Sequence, residues 1–263
     1  MDASSLIDRV RYPVDDLDGT AGQQLIVRAS EQLATTGACE LPGFLTEAAL
    51  AACVADAREI APSGHRSSGV GTAYLERPEP GWPEGHPRVR WEPYASGVVA
   101  YDQFPAASPI RALYEWDALL AFCGAVLGRQ VFRYADPLGA LNLAVMGEGD
   151  ELQWHYDQTD FVVSLALQPS TGGGTFDVVP RLRADGDERY DEVNQAIDGT
   201  HPEVVTLPMT PGTLLLFAGR ESLHRVSPIV GDVDRLVVLM GYDTKPGTRS
   251  SEVLQLARYG RTA

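Results

Sequence analysis

Between residues 21 and 36 the apolar side chains Leu25, Ile26, Ala29 and Leu33 recur at three- and four-residue intervals. That spacing predicts one face of an amphipathic helix, and Gly37 supplies its stop. A short strand and turn follow at 39–44, then a second helix from the candidate N-cap Thr46 through Ile60, ahead of Pro62. Residues 110–127 predict a further helix, with Leu113, Trp116, Leu120, Phe122 and Val126 as core candidates and Gly128 closing it. Beyond Gly128 the pattern changes to short runs of β-branched and aliphatic residues at 130–134, 141–146, 160–168, 174–179, 203–207, 213–217 and 235–242, parted by Gly and Pro turns. Several short strands at this spacing suit a double-sheet jelly roll, so the expected class is α+β, mainly β, with the N-terminal helices packed on one sheet.

Two stretches interrupt the pattern. Residues 63–89 are rich in Gly, Pro, Ser and charge and predict a long loop, a candidate lid. Residues 181–199 read as an inserted turn and a short acidic helix. The organisation expected is a single domain over 1–263, with a mainly helical part to residue 128 and a jelly-roll core over 129–263.

Composition narrows the partners. The 263 residues carry 21 Lys and Arg against 36 Asp and Glu, a formal charge of −15 that disfavours nucleic acid and anionic membrane. No run of about eighteen apolar residues reads as a membrane span. Cys39, Cys53 and Cys123 occur singly, with neither metal spacing nor a disulfide framework, which suits a reducing, cytoplasmic location.

Candidate chemistry concentrates in the β-rich half. His155 and Asp157 are two apart, so on a strand or at its end both side chains point the same way and can reach one ion. A second imidazole, His224, follows the apolar run 213–217 after a short polar loop, at what reads as a strand end. Two imidazoles and one carboxylate on one face of a metal leave the opposite face open, which suits Fe(II) binding a chelating cosubstrate and O2. Arg235 opens the next strand, expected beside the one that carries His224, where a guanidinium can grip a carboxylate through two parallel hydrogen bonds.

Taken together, Gln153-Trp154-His155-Tyr156-Asp157-Gln158-Thr159-Asp160, Gly172-Gly173-Gly174-Thr175-Phe176, the run 208–217 and His224-Arg225-Val226-Ser227-Pro228 through Arg235 resemble the Fe(II)/2-oxoglutarate-dependent dioxygenases. The chain looks most similar to the branch of free amino-acid halogenases and their hydroxylase relatives. The resemblance implies a jelly-roll fold, Fe(II) held by His155, Asp157 and His224, and 2-oxoglutarate gripped by Arg235 with O2 as the oxidant. It also implies that a small molecule, a free amino acid or a derivative, is oxidised at an unactivated carbon with release of succinate and CO2. In the halogenases the carboxylate position holds a small residue and chloride takes its place; Asp157 departs from that pattern, which implies hydroxylation.

Several further residues are candidates with ordinary structural alternatives. Tyr134 and Asn142, on strands ahead of the His-X-Asp unit, can reach the cosubstrate carboxylates. For substrate the candidates are Arg90, Trp154, Gln158, Asp243 and Thr244, whose alternatives are surface ion pairs, core packing and turn chemistry. His65, His86 and His201 read as surface or loop histidines, and Gly172-Gly173-Gly174 as a tight strand connection, since no P-loop lysine follows. Two rival classes remain: a zinc or other metal-dependent hydrolase using the same ligands, and a non-catalytic jelly-roll sensor that binds metal or 2-oxoglutarate. Oligomeric state is open, a homodimer being one candidate.

Overall fold

The structure, a computed structural model, describes residues 2–75 and 81–263. The helices are α1 (Thr20–Thr36), α2 (Glu47–Ile60), α3 (Pro109–Glu115), α4 (Asp117–Leu127), α5 (Tyr190–Ile197) and α6 (Glu252–Tyr259). The strands run β1 (Ala38–Leu41), β2 (His65–Gly71), β3 (Glu92–Val99), β4 (Phe132–Arg133), β5 (Leu141–Met146), β6 (Leu152–His155), β7 (Val162–Gln168) and β8 (Gly172–Gly173). They continue as β9 (Phe176–Val179), β10 (Val205–Leu207), β11 (Leu214–Phe217), β12 (Leu223–Val226), β13 (Ile229–Val230), β14 (Arg235–Met240) and β15 (Tyr242–Asp243).

A major antiparallel sheet in the order β1-β11-β7-β14-β5-β3-β2 faces a minor one in the order β10-β9-β12-β6, the two-layer jelly roll that the strand spacing predicts. Alternation sorts the major sheet. Leu141, Leu143, Val163, Leu165, Leu214, Leu216, Leu236 and Val238 point to one face, where they bury against Leu25, Ala29 and Leu33 of α1, Ala49 and Cys53 of α2, and Phe122 of α4. The alternate residues face the minor sheet, where Leu215 and Phe217 meet Val178 and Phe176. The minor sheet's outer face is covered in turn by Tyr74 and by Val193 and Ala196 of α5.

Helix ends follow the sequence closely. Gly37 closes α1 in the left-handed conformation, its N–H returning to the Leu33 carbonyl, and the Thr46 hydroxyl accepts from the Ala49 N–H to cap α2. The span 110–127 is not one helix: Trp116 is extended (φ −75°, ψ 119°) and divides it into α3 and α4. Residues 63–89 are not one loop either, because β2 lies among them and pairs along its length with β3, at the edge of the major sheet. The middle of that span, 76–80, lies outside the described residues. The candidate lid is fastened instead to the insertion. Trp82 stacks on His86 with ring centroids 4.1 Å apart, and both lean on Tyr190 of α5.

Candidate metal centre

His155 ends β6 and His224 lies inside β12, directly opposite it in the antiparallel register. Directly opposed residues share a face, so the two rings stand 4.2 Å apart by centroid, on the face turned toward the major sheet. His224 is therefore not at a strand end, as its sequence position suggested, but paired on both sides, to β6 and β9.

Each imidazole is oriented by the chain just before it. The Nδ1 of His155 lies 2.7 Å from the Gln153 carbonyl, and that of His224 lies 2.9 Å from the Ser222 carbonyl. A carbonyl only accepts, so Nδ1 carries the proton in both rings and each Nε2 lone pair is aimed at the site. Asp157 completes the set, Oδ2 lying 3.6 Å from His224 Nε2 and Oδ1 4.0 Å from His155 Nε2. All three ligand atoms fall within 4.8 Å of one another, a separation that one ion can bridge. Burial, and then the neighbouring His224, push the His155 pKa down to about 4, against the pull of Asp157, so its ring is neutral and free to ligate at physiological pH. Phe217 and Phe176 wall His224, their ring centroids 4.9 and 5.5 Å from it.

Arg235 approaches from the opposite sheet. Its strand β14 sits between β7 and β5, not beside the strand of His224, because successive jelly-roll strands cross between sheets. Leu236, Val238 and Met240 point into the helix-covered core, so Arg235 points into the space between the sheets. Gly174 packs beside it: a Cβ there would lie 2.6 Å from Ile229 Cδ1 and Ser170 Oγ and 3.1 Å from Arg235 Cδ. The guanidinium is buried (residue 7 % exposed) and has no ion pair or hydrogen bond among the described residues. Burial lowers its pKa to about 10, which leaves it charged at neutral pH.

The other candidates divide. Tyr134 is partly buried: its phenol is pushed up to about 12 by burial first, then by the charge of Asp243, with Asp157 also contributing. Asn142 is not available to a cosubstrate carboxylate, because its Nδ2 donates to the Leu138 and Leu141 carbonyls and its Oδ1 accepts from the Tyr259 hydroxyl. Trp154 points away from the metal, into the core behind the minor sheet, where Arg225 lies over its ring. Arg90 is engaged by Asp198 at 2.7 Å and Glu92 at 3.1 Å. Gln158 is exposed. Asp243 caps its own turn, accepting from the Thr244 N–H at 2.7 Å and the Thr248 hydroxyl at 2.7 Å. His201 is buried rather than superficial, its Nδ1 accepting from the Glu203 N–H. The triple glycine is the tight connection expected: a Cβ on Gly173 would fall 1.9 Å from the Pro228 carbonyl oxygen. Sequence reading missed the orienting carbonyls of Gln153 and Ser222, which any residue type would supply.

Residues 95–255 match the family model described as Halogenase D. No curated protein matches the chain. Among solved structures it is similar to AviO1 from Streptomyces viridochromogenes Tue57, at 20% identity and a TM-score of 0.57 over 86% of this chain and 97% of that one. It is also similar to the non-heme alpha ketoglutarate dependent epimerase SnoN from nogalamycin biosynthesis, at 17% identity and a TM-score of 0.56 over 92% and 96%. A third is HygX from Streptomyces hygroscopicus, solved with nickel, 2-oxoglutarate and hygromycin B, at 17% identity and a TM-score of 0.55 over 90% and 96%. At these identities the likeness is one of fold.

Proposed function

We propose, for a chain that belongs to the Halogenase D family and thereby to the Fe(II)/2-oxoglutarate-dependent oxygenases, that it hydroxylates an unactivated carbon of a small molecule, a free amino acid or a derivative. The observation that carries this reading is Arg235, a buried, charged guanidinium without a protein counter-ion, facing the same inter-sheet space as the triad. Leaving such a charge unpaired is costly, so its retention fits a site completed by an anionic ligand. A hydrolase or a bare metal site would account for the triad but gives Arg235 no task.

The residues fit the groups that the family requires. Two imidazoles and a carboxylate suit Fe(II) and leave room for a chelating cosubstrate; a bidentate guanidinium suits the distal carboxylate of 2-oxoglutarate. When bound, iron and 2-oxoglutarate would activate O2, the oxidant: oxidative decarboxylation of 2-oxoglutarate to succinate and CO2 would take up one oxygen atom, and the other would enter the substrate C–H bond as the hydroxyl. What the chain contributes is orientation and dryness. The carbonyls of Gln153 and Ser222 fix the imidazoles, Arg235 fixes the cosubstrate's far end, and Phe217 and Phe176 shield the metal side from water. Asp157 occupies the place that a halide would need, which supports hydroxylation over chlorination within a family named for the latter.

The test begins with anaerobic Fe(II) and then 2-oxoglutarate added to metal-free protein, read by the weak visible charge-transfer band of the chelate. O2 follows, with a panel of amino acids, while succinate is quantified. A band together with amino-acid-stimulated succinate is the expected result, and no band at saturating iron would overturn the reading. In Asp157→Gly, hydroxylation is expected to weaken and chloride to perturb the Fe(II) spectrum; an unresponsive spectrum would count against Asp157 as the residue that excludes halide.

A further inference from the structure

The carboxylate of Asp157 is held in an unusually close seat. The loop between β11 and β12 runs past it, and the Gly219 carbonyl accepts from the Asp157 N–H at 3.0 Å. A Cβ built on Gly219 would fall 1.7 Å from Asp157 Oδ2, 2.6 Å from its Cγ and 3.0 Å from its Cβ. Those are the three nearest atoms, so no other residue contests the position as closely. Gly219 is not among the glycines with positive φ. It is therefore not held in the left-handed region that favours glycine, and the feature that calls for glycine here is space. The next residue grips the same segment from outside: Arg220 Nε pairs with Asp160 at 2.8 Å, and its guanidinium also donates to the Gln158 carbonyl.

We propose that Gly219 is the positioning residue for the Asp157 ligand, its missing side chain forming the seat into which the carboxylate turns toward the two imidazoles. The inference rests on the reading of Asp157 as a metal ligand and adds the residue that decides whether it can act as one. A methyl group at 219 would overlap the carboxylate, 1.7 Å from Oδ2, and force it out of its present position. Gly219→Ala should then behave as though the ligand itself had been removed, although position 219 bears no donor atom.

A double-mutant cycle on the full chain tests this, with Co(II) as the probe, its visible absorption reporting affinity and thermal melts of the metal-free proteins reporting stability. Wild type, Asp157→Gly, Gly219→Ala and the double variant are compared. Gly219→Ala is expected to weaken Co(II) binding by about 10- to 100-fold, the range seen when support of a metal ligand is lost. It should match Asp157→Gly, and the double variant should be no weaker than Asp157→Gly alone. In the melts, the loss caused by Gly219→Ala should vanish once Asp157 is glycine, because the clash needs the carboxylate.

Native Co(II) affinity in Gly219→Ala would overturn the proposal, as would additive losses in the cycle. If Gly219→Ala fails to fold, the double variant still decides: folding rescued by Asp157→Gly supports the seat, and failure there too refutes it. A wild-type protein that binds no Co(II) would instead sink the metal-site reading, and the stability half of the cycle would still show whether Gly219 makes room for Asp157.

Discussion

Arg235 sets a local conflict between stability and function. Its guanidinium is removed from water, carries its charge at neutral pH, and meets no acid among the described residues. Replacing an uncompensated buried charge by an apolar side chain of similar length relieves desolvation without leaving a partner stranded. Metal-free Arg235→Met is therefore expected to melt at a higher temperature than the wild type, while 2-oxoglutarate, which should raise the wild-type melting point in the presence of Co(II), no longer does so. Paired thermal melts with and without the cosubstrate read both effects. A variant that melts lower than wild type in the absence of ligand would mean that Arg235 is satisfied within the protein, and the cosubstrate reading would lose its support.

Asn142 shows how an element, rather than a single residue, decides what a polar side chain does. From sequence it was a candidate for the cosubstrate; in the fold it ties β5 to α6, accepting from the Tyr259 hydroxyl at 2.9 Å. Tyr259→Phe should cost about 1 kcal/mol in a denaturant titration, the usual net worth of one buried hydrogen bond, and leave the 2-oxoglutarate affinity unchanged. A fall in that affinity would return Asn142 to the site. The same contact explains what was legible. Helices α1 and α2 announced themselves because their apolar spacing and caps are local, and the His155, Asp157, His224 and Arg235 set was legible because its chemistry is carried by residue type. Helix α6 was not: it exposes Val253 and Leu256 and buries Gln255 and Tyr259, the reverse of the pattern by which a helix is recognised. Strand β2 (HRSSGVG) is largely exposed and held by backbone pairing to β3, so its side chains show no alternation. Which sheet receives Arg235 is a property of the chain path and cannot be read from the residues around it.

At the scale of the whole molecule the site works against its own surroundings. The chain carries a formal charge of −15, yet the proposed cosubstrate is a dianion that must reach a single buried guanidinium. The reach of the surface charge depends on salt: the screening length is about 30 Å at 0.01 M and about 8 Å at 0.15 M. In dilute buffer an approaching dianion feels the summed negative field long before it feels Arg235, and association is slowed by repulsion. Near physiological ionic strength the distant carboxylates are screened, and the short-range attraction of Arg235 and of a bound divalent ion remains. The association rate constant of 2-oxoglutarate with the Co(II)-loaded protein is therefore expected to rise several-fold between 10 and 150 mM NaCl in stopped-flow measurements. The dissociation rate, governed by contacts buried between the two sheets, should change far less. This is the opposite of the fall with salt found when a charged ligand is steered by a complementary surface, so the sign alone is informative. A rate that falls with salt would mean that the field at the pocket mouth is positive despite the net charge, and that the surface acids are arranged away from the entrance.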